Sequence, residues 1–280
     1  MPKLFLITGA TSGIGFETAH QIALMGHHVI GIGSSTESCT KANDRMLKYN
    51  TKVEFRVCDL SNQEEIKRLA EDIKIKYTKL DVLINNAGVI YLRQLLDSKG
   101  IEKTFSINYL SHYLLTRLLI DIMGGLNPTR IINVSSVIHE KARMNFSDLN
   151  TNKYSWITAY GQSKLAQILF TRHLAILLNS HNITVNAMHP GIIATNLISK
   201  NGLMGTILTF GLRLIGKSPQ KGVPTLIQLA TSESVSNASG KYYVNCKEVK
   251  LRPHATDKES AKILWDISAK LCQLPEQLPF

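Results

Sequence analysis

The stretch that decides the fold is LFLITGATSGIG, residues 4–15. A five-residue apolar run is followed by a turn that holds three glycines, and a helical pattern begins at Gly13. Such a short apolar run predicts a strand buried on both faces, and the pattern after it predicts a helix. A glycine-rich turn between a first strand and a first helix is typical of dinucleotide-binding α/β folds.

The spacing of Gly9, Gly13 and Gly15 is Gly-x3-Gly-x-Gly rather than G-x-G-x-x-G, but it meets the same physical needs. Gly9 permits the tight turn, Gly13 lets the backbone approach a pyrophosphate, and Gly15 allows the helix to pack closely on the strand. The pyrophosphate would lie at the helix N-terminus, where free N–H groups and the helix dipole favour negative charge. A purely structural bend is the alternative for so short a motif.

Beyond this stretch the chain keeps alternating between strand and helix patterns, which predicts a parallel sheet with helices on both faces. Strands are predicted at LFLIT, HVIGI, VEFRV, DVLIN, RIINVS, ITVNAM and KYYV. Helices are predicted at 13–25, 61–77, 101–123, 158–178, 219–231 and 258–271. We expect one doubly wound Rossmann-type α/β domain over residues 1–280 with about seven strands, whose last third, from about residue 190, carries a substrate lid and the final helix.

Composition narrows the class of protein. Of 280 residues, 44% are hydrophobic and 19% are charged, so a sizeable globular core is expected. The net charge of +11 would attract polyanions, yet the basic residues are scattered and show neither a Lys/Arg run nor zinc-ligand spacing. We therefore expect no nucleic-acid partner and no metal. The four cysteines contain no CxxC pair, which favours free thiols in a reducing compartment and predicts a cytoplasmic location.

Two apolar segments bear on membrane contact. The run at the start of MPKLFLITGA is too short for a signal sequence or a membrane span and is interpreted as the first strand. The segment Gly202 to Gly216 is apolar almost all round, but four glycines and Arg213 interrupt it. We interpret it as a lid over the substrate, with weak peripheral contact to a membrane as the alternative.

The motif YGQSK places Tyr160 and Lys164 about one turn apart on the same face of a predicted helix. A carbonyl that accepts hydride develops negative charge on its oxygen and needs a proton donor there. A free phenol has a pKa of about 10, and a nearby ammonium favours its ionised form. The alternative is a solvated tyrosine–lysine pair on a helix surface.

Six motifs follow one another along the chain: TGATSGIG, CDL at 58–60, NNAG at 85–88, NVSS at 133–136, YGQSK, and HPG at 189–191. Together they resemble the short-chain dehydrogenase/reductase superfamily over nearly the whole chain. The stretches TFSINYLSHYLLT and SKLAQILFTRHLA, with the tail from GKYYV onward, are similar to its retinol-dehydrogenase-like branch. The resemblance implies an NAD(P)-dependent oxidoreductase that acts on CH–OH or C=O groups.

The same resemblance implies four catalytic residues. Tyr160 would protonate the carbonyl oxygen or take the alcohol proton, and Lys164 would support it and hold the nicotinamide ribose. Ser136 would hydrogen-bond the substrate oxygen, and Asn108 would anchor the water chain that carries the proton out. The alternatives are a strand-end hydroxyl for Ser136 and a residue that fixes a helix kink for Asn108. Ser135 is interpreted as a neighbour that bonds the backbone.

The resemblance also implies contacts to the cofactor. Asp59 would accept a hydrogen bond from the adenine amino group, and Thr195 would contact the carboxamide. A strand-end cap and an ordinary loop threonine are the respective alternatives. The full implied set is Gly9, Thr11, Ser12, Gly13, Ile14, Gly15, Ser34, Ser35, Asp59, Leu60, Asn86, Ala87, Gly88, Tyr160, Lys164, Pro190, Gly191 and Thr195.

The end of the second strand bears on the choice of cofactor. NAD-preferring relatives usually carry an acid there, and this chain has Gly33; the arginine that is usual next in the branch is replaced by Ser34. Hydroxyls at Ser34, Ser35 and Thr36, with Lys41 nearby, could receive a phosphate at a helix start. We expect NADP(H) to be preferred over NAD(H). The alternative is a Ser/Thr turn that only caps the helix.

The 23 residues between Ser136 and Tyr160 predict an apolar pocket wall that uses Met144, Phe146, Trp156 and Ile157 together with the lid. The expected substrate is a hydrophobic aldehyde, ketone or alcohol of retinoid, steroid or lipid type. A non-catalytic dinucleotide-binding sensor or scaffold of the same fold is the alternative function. By analogy with relatives, we expect a homodimer or homotetramer that pairs through helices 101–123 and 158–178.

Overall fold

The computed structural model describes residues 1–191, 197–198 and 222–280. Within them one eight-stranded sheet has the order β3-β2-β1-β4-β5-β6-β7-β8. Adjacent strands are parallel except for the last pair, β7 and β8. The strands are β1 Leu4–Thr8, β2 His28–Gly33, β3 Glu54–Val57, β4 Val82–Asn85, β5 Thr129–Val134, β6 Ile183–His189, β7 Tyr242–Val244 and β8 Lys247–Glu248. The predicted doubly wound α/β fold is confirmed.

Helices cover both faces of this sheet. They are α1 Gly13–Leu24, α2 Thr36–Lys48, α3 Gln63–Lys76, α4 Lys103–Phe105, α5 Ser111–Leu119, α6 Trp156–Leu177, α7 Val223–Thr231 and α8 Lys258–Cys272. One apolar core packs α1, α2 and α7 against the sheet, and a second packs α3, α5, α6 and α8 against its other face. Among the described residues, no helix combines the length and the apolar character that crossing a bilayer requires. The predicted lid at 202–216 lies outside the described residues.

The central strands are buried on both faces, as their continuous apolar runs predict, whereas β3 is not. Its residues are half-buried or exposed because β3 lies at the edge of the sheet. There Glu54 accepts from Arg56 and from the Tyr77 hydroxyl. The charged side chains of β3 thus have partners at the edge of the sheet. They suit an edge strand because charge discourages pairing with another chain.

The single helix predicted over 101–123 is interrupted. After α4 the backbone takes a π-helical turn, Ser106–Leu110, before α5 begins, and a 3₁₀ turn, Ile120–Ile122, follows α5. A π-helical turn shifts the backbone hydrogen bonds by one residue and so redirects the carbonyls within it. Asn108 lies in the middle of this turn, which places one of the predicted catalytic residues at the irregularity.

Helix α8 packs across α5 and α6 on the side away from the sheet. Tyr113 and Phe170 are completely buried, and the Trp265 ring of α8 lies 5.1 Å from the Tyr113 ring. The Arg117 guanidinium, 4.8 Å from the Trp265 ring, also donates to the carbonyls of Pro275 and Gln277 in the C-terminal tail. Pairing between copies through these two helices would therefore require α8 to be displaced.

A buried hydrogen bond, 2.7 Å between the hydroxyls of Tyr109 and Ser268, ties α8 to the π-helical turn. We expect Ser268→Ala to lower the free energy of unfolding by about 1–3 kcal/mol, because it leaves the Tyr109 hydroxyl buried without its partner. The double variant Tyr109→Phe/Ser268→Ala should lose less than the sum of the two single variants. Urea unfolding of all four proteins measures this, and strictly additive losses would contradict the coupling.

Candidate active site

The glycine-rich turn, Thr8–Gly15, is closed tightly against the end of β4. Gly9 has a φ of +66°, and a Cβ there would lie 2.9 Å from the Ala87 Cα. A Cβ on Gly15 would overlap the Gly9 carbonyl oxygen and would lie 2.5 Å from Asn86 Nδ2. Asn86 Nδ2 in turn donates to the Thr8 carbonyl at 2.8 Å. Side chains at either glycine would therefore break the close packing of the turn against the loop after β4.

The N-terminus of α1 opens beside this turn with its N–H groups available. Ser12 is the N-cap residue, but its side chain makes no capping hydrogen bond. The first N–H groups of a helix have no partner inside the helix, and the helix dipole makes this end favourable for anions. A diphosphate therefore fits both the space and the charge at this point.

A cavity of about 550 Å³ extends from the glycine-rich turn to YGQSK. It brings together Ser136 and all but two of the predicted cofactor residues. Those lining it are Gly9, Thr11, Ser12, Gly13, Ile14, Gly15, Ser34, Asp59, Leu60, Asn86, Ala87, Gly88, Ser136, Tyr160, Lys164, Pro190 and Gly191.

Two of the described predicted site residues, Ser35 and Asn108, do not line this cavity. Ser35 is the N-cap of α2, and its Oγ accepts from Ser38 N at 3.2 Å, so the capping alternative holds for this residue. Asn108 lies behind the cavity wall, and Thr195 lies outside the described residues. Asp59 lines the cavity and also caps, since its Oδ1 accepts from the Ser61 backbone N–H and hydroxyl at 2.9 Å each.

Several lining residues were missed by sequence reasoning. Ser38, Arg45, Cys58 and His189 all contribute to the wall. The spacing of Ser38, Lys41 and Arg45, at i, i+3 and i+7, was available as a signal because it places three polar side chains on one face of α2. Cys58 and His189 belong to the motifs CDL and HPG, and they reach the cavity because Cys58 directly follows β3 and His189 ends β6.

Tyr160 and Lys164 both lie in the cavity wall and are almost completely buried. Lys164 Nζ lies 5.7 Å from the centre of the Tyr160 ring and donates to the Val134 carbonyl at 2.8 Å. Burial raises the pKa of Tyr160 to about 12, with a small opposing effect from the Ser136 hydroxyl. Burial lowers the pKa of Lys164 from 10.5 to about 7.

These directions differ from the expectation that Lys164 holds the phenol in its ionised form. In the chain alone, desolvation dominates both groups because it disfavours whichever form is charged. The charge of Lys164 is therefore itself only weakly supported by the protein. Hydroxyls or phosphates of a ligand in the cavity would supply the missing acceptors for its ammonium.

Ser136 stands at the end of β5 with an extended backbone, and it caps the following 3₁₀ turn. Its Oγ accepts from the Ile138 N–H at 3.4 Å, and its hydroxyl also interacts with the Tyr160 phenol. The Ser135 hydroxyl, in contrast, donates to the Lys164 carbonyl at 2.7 Å. The interpretation of Ser135 as a residue that bonds the backbone is confirmed.

Asn108 acts as a clamp on the loop after β4. Its side chain accepts from Val89 N at 2.7 Å and donates to Val89 O at 3.0 Å and to Ser163 Oγ at 3.1 Å. Both amide protons are thus used inside the protein. Its backbone carbonyl, exposed by the π-helical turn, accepts from Gln167 Nε2. The structure places Asn108 within the π-helical turn, and its water-anchoring role stays a prediction.

His112 connects Asn108 with the glycine-rich turn and was not singled out from the sequence. Its Nε2 lies 3.0 Å from Thr8 Oγ1, and its Nδ1 lies 3.1 Å from the Asn108 carbonyl. Thr8 Oγ1 also accepts from the N–H groups of Asn86 and Ala87. Burial, and then the charge of Lys164, lower the pKa of His112 to about 3, so the imidazole is a neutral structural link.

Gly33 packs where a side chain has no room. A Cβ at this position would overlap Thr11 Cγ2 and lie 2.6 Å from Cys39 Sγ. An acid at Gly33 would therefore have to displace the side chains of Thr11 and Cys39. Ser34, the next residue, is exposed on the cavity wall and can change without this conflict.

Comparison with known proteins agrees with this geometry. The model of the family described as short chain dehydrogenase matches residues 3–204, well over half of the chain. The chain belongs to the short chain dehydrogenase family. Because this family is one of NAD(P)-dependent oxidoreductases, the fold, the glycine-rich turn and the cavity of this short chain dehydrogenase find a common explanation.

Curated relatives place this short chain dehydrogenase in the retinol-dehydrogenase-like branch. Retinol dehydrogenase 13 of Homo sapiens is 38% identical, over 97% of this chain and 85% of the relative. Retinol dehydrogenase 14 of Homo sapiens is 36% identical, over 95% of this chain and 85% of the relative. The crystal structure of an uncharacterised Mycobacterium paratuberculosis protein shares 30% identity at a TM-score of 0.77, covering 99% of this chain and 97% of that one.

Proposed function

We propose that this short chain dehydrogenase transfers hydride between NADP(H) and the carbonyl or alcohol group of a hydrophobic substrate. The observation that carries the proposal is one cavity that joins a diphosphate-binding helix terminus to Tyr160, Lys164 and Ser136. The nicotinamide dinucleotide would supply or take up the hydride. The residues of this chain would bind it, orient the substrate and move the proton.

Each side chain has a role that its surroundings support. Tyr160 presents a protonated phenol, since burial keeps its pKa high, and a protonated phenol can donate to a carbonyl oxygen. Ser136, whose hydroxyl already interacts with the Tyr160 phenol, would hydrogen-bond the same oxygen. Lys164 would bind ligand hydroxyls and, once charged, would favour release of the Tyr160 proton. Asn108 would keep the loop after β4 in place.

An apolar cluster around Tyr160 supports a hydrophobic substrate. Ile90, Tyr160 and Ile198 form its buried centre, and the partly buried Leu92, Ile138 and Leu197 pack against it. The predicted wall residues Met144 and Phe146 instead pack against the main core. Trp156 and Ile157 lie one turn before Tyr160 on α6 with 37% and 53% of their surface exposed, so they are available to an apolar ligand.

The names of the relatives suggest a chemical class for the substrate. Both curated relatives are named for retinol, an apolar alcohol. A retinoid-like, steroid-like or lipid-like alcohol or aldehyde suits the apolar cluster because burial of its chain supplies most of the binding free energy. A short polar aldehyde would leave this surface in contact with water.

The test is turnover of purified protein with NADPH and a panel of aldehydes that runs from long apolar to short polar chains. We expect kcat/KM to rise with chain length, by up to about fourfold per buried methylene. Absence of turnover with every aldehyde and every matching alcohol, while the dinucleotide still binds, would instead support the non-catalytic sensor or scaffold.

We attribute the proposed preference for NADP(H) over NAD(H) to the residues that line the cavity near the end of β2. We expect Ser34→Asp to weaken NADPH binding by about tenfold or more and to leave NADH binding nearly unchanged, because the new carboxylate would repel a 2′-phosphate. Ser35→Asp is the matched control, since Ser35 does not line the cavity. Equal effects of Ser34→Asp on both dinucleotides, measured by fluorescence titration, would contradict the preference.

A cytoplasmic location stays a proposal, supported by the four free cysteines. A homodimer or homotetramer also stays a proposal, and with α8 in place it would have to use a surface other than α5 and α6. Peripheral membrane contact was assigned to the segment around Gly202 to Gly216, which lies outside the described residues.

A further inference from the structure

Helix α2 turns a polar face toward the cavity, near the end of β2. Ser38, Lys41 and Arg45 follow one another at i, i+3 and i+7, and all three line the cavity. That spacing places them in one row along the helix. Ser34, which precedes α2, continues the same wall.

Arg45 is fixed in its position by an aromatic ring. Its guanidinium carbon lies 3.7 Å from the centre of the Phe16 ring, and Phe16 is buried in the first turn of α1. A guanidinium stacked on an aromatic face keeps the N–H groups around its edge available for an anion. The contact therefore holds a cation beside the helix terminus that would receive the diphosphate.

The other charges at this wall make Arg45 the principal cation. Lys41 is paired with Glu37 at 2.5 Å, and both side chains are largely exposed. Arg45 makes no ion pair with any carboxylate among the described residues. Of the acids, Asp59 also lines the cavity, where it caps Ser61. The wall at α2 itself therefore carries an unneutralised guanidinium.

We propose that Arg45, assisted by Ser38 and Lys41, binds the 2′-phosphate of NADP(H). The proposal rests on the proposed function, because it assigns a partner to one end of the same cavity. A planar guanidinium can donate two parallel hydrogen bonds to a phosphate, and a nearby hydroxyl can add a third. NAD(H) has no group that would use this site, so Arg45 would determine cofactor preference rather than catalysis.

The experiment compares adenosine 2′,5′-bisphosphate with adenosine 5′-monophosphate by calorimetry, and NADPH with NADH by fluorescence titration. We expect wild-type protein to bind the 2′-phosphorylated member of each pair more tightly. Arg45→Gln should weaken those two ligands by about 10- to 100-fold and should change the others by less than about twofold. Arg45→Lys, which keeps the charge without the planar fork, should be intermediate.

Lys48→Gln is the matched control, because Lys48 ends α2 outside the cavity and carries the same charge. Equal weakening by Lys48→Gln and Arg45→Gln would reduce the effect to net charge and overturn the proposal. Equal loss of both members of a pair in Arg45→Gln would reveal a packing role on Phe16 and would also overturn it. Equal affinity of wild-type protein for both members would overturn it while leaving the oxidoreductase intact, whereas failure to bind any of the nucleotides would remove the proposed function itself.

Discussion

Tyr160→Phe is expected to lower turnover of an apolar aldehyde by about 10²–10⁴-fold and to leave dinucleotide affinity within about twofold of wild type. The ring stays and only the hydroxyl is lost, so the packing of Tyr160 with Ile90 and Ile198 is preserved. What disappears is the group that can protonate the carbonyl oxygen. Because the phenol pKa is raised to about 12 by burial, wild-type protein holds that proton throughout the neutral range.

The matched control is Tyr154→Phe. The Tyr154 hydroxyl donates to the Tyr91 carbonyl at 2.7 Å, and the residue does not line the cavity. Tyr154→Phe removes the same atom from a partly buried tyrosine in the segment that leads into α6. Steady-state kinetics with NADPH, together with fluorescence titration of the dinucleotide, separates the two variants. Turnover near wild type in Tyr160→Phe would show that the proton comes from another group.

Much of the fold could be predicted because its signals are local. The runs that became β1 and β4 are apolar up to their last residue, and such runs specify buried parallel strands. Elements whose placement depends on tertiary contacts were harder to predict from the sequence. β3 alternates charged and apolar residues, and the strand order places it at the edge of the sheet. β8 consists of two exposed residues with no pattern of their own.

The parts of the site that lie in contiguous sequence motifs could be predicted, and the other parts could not. Two motifs are recognisable from the spacing of their residues, Gly9 to Gly15 and Tyr160 to Lys164. The structure brings both into one cavity. Arg45 and His112 are brought to the site by the packing of α2 and α5, and a helical pattern does not reveal which neighbour a helix face will meet. The interruption at Ser106–Leu110 was hidden as well, since the sequence there reads as an ordinary helix.

The pKa values of Tyr160 and Lys164 show what sequence spacing cannot predict, because they depend on burial. A lysine one turn from a tyrosine suggests an ammonium that lowers the phenol pKa, and this holds in a solvated or charge-stabilised setting. In the folded chain both groups lie out of water, so the ammonium is disfavoured along with the phenolate. Without a ligand that supplies acceptors, burial therefore favours the neutral form of both groups.

Lys164→Met follows from that same physics and should raise stability while it removes activity. Methionine fills a similar volume without a charge, so the ligand-free variant is expected to be more stable than wild type by about 1–3 kcal/mol at pH 7. The lost hydrogen bond to Val134 O opposes this gain by about 1 kcal/mol. Turnover with NADPH should fall by about 10²-fold or more, because the ligand hydroxyls and the Tyr160 proton lose their cationic partner.

The dependence on pH makes this result specific to the lysine. Its folded pKa of about 7 lies below the ordinary 10.5, so between these values the unfolded chain binds more protons than the folded chain. Wild-type stability therefore gains from this group as pH rises from 7 toward 10, and the advantage of Lys164→Met should shrink over the same range. Urea unfolding across that range measures the difference, with Lys141→Met as the exposed control. The opposite result would be a Lys164→Met protein that is less stable than wild type by the same amount at every pH. It would mean that Lys164 stabilises the fold through its hydrogen bond to Val134 O of β5 and that burial of its charge costs little.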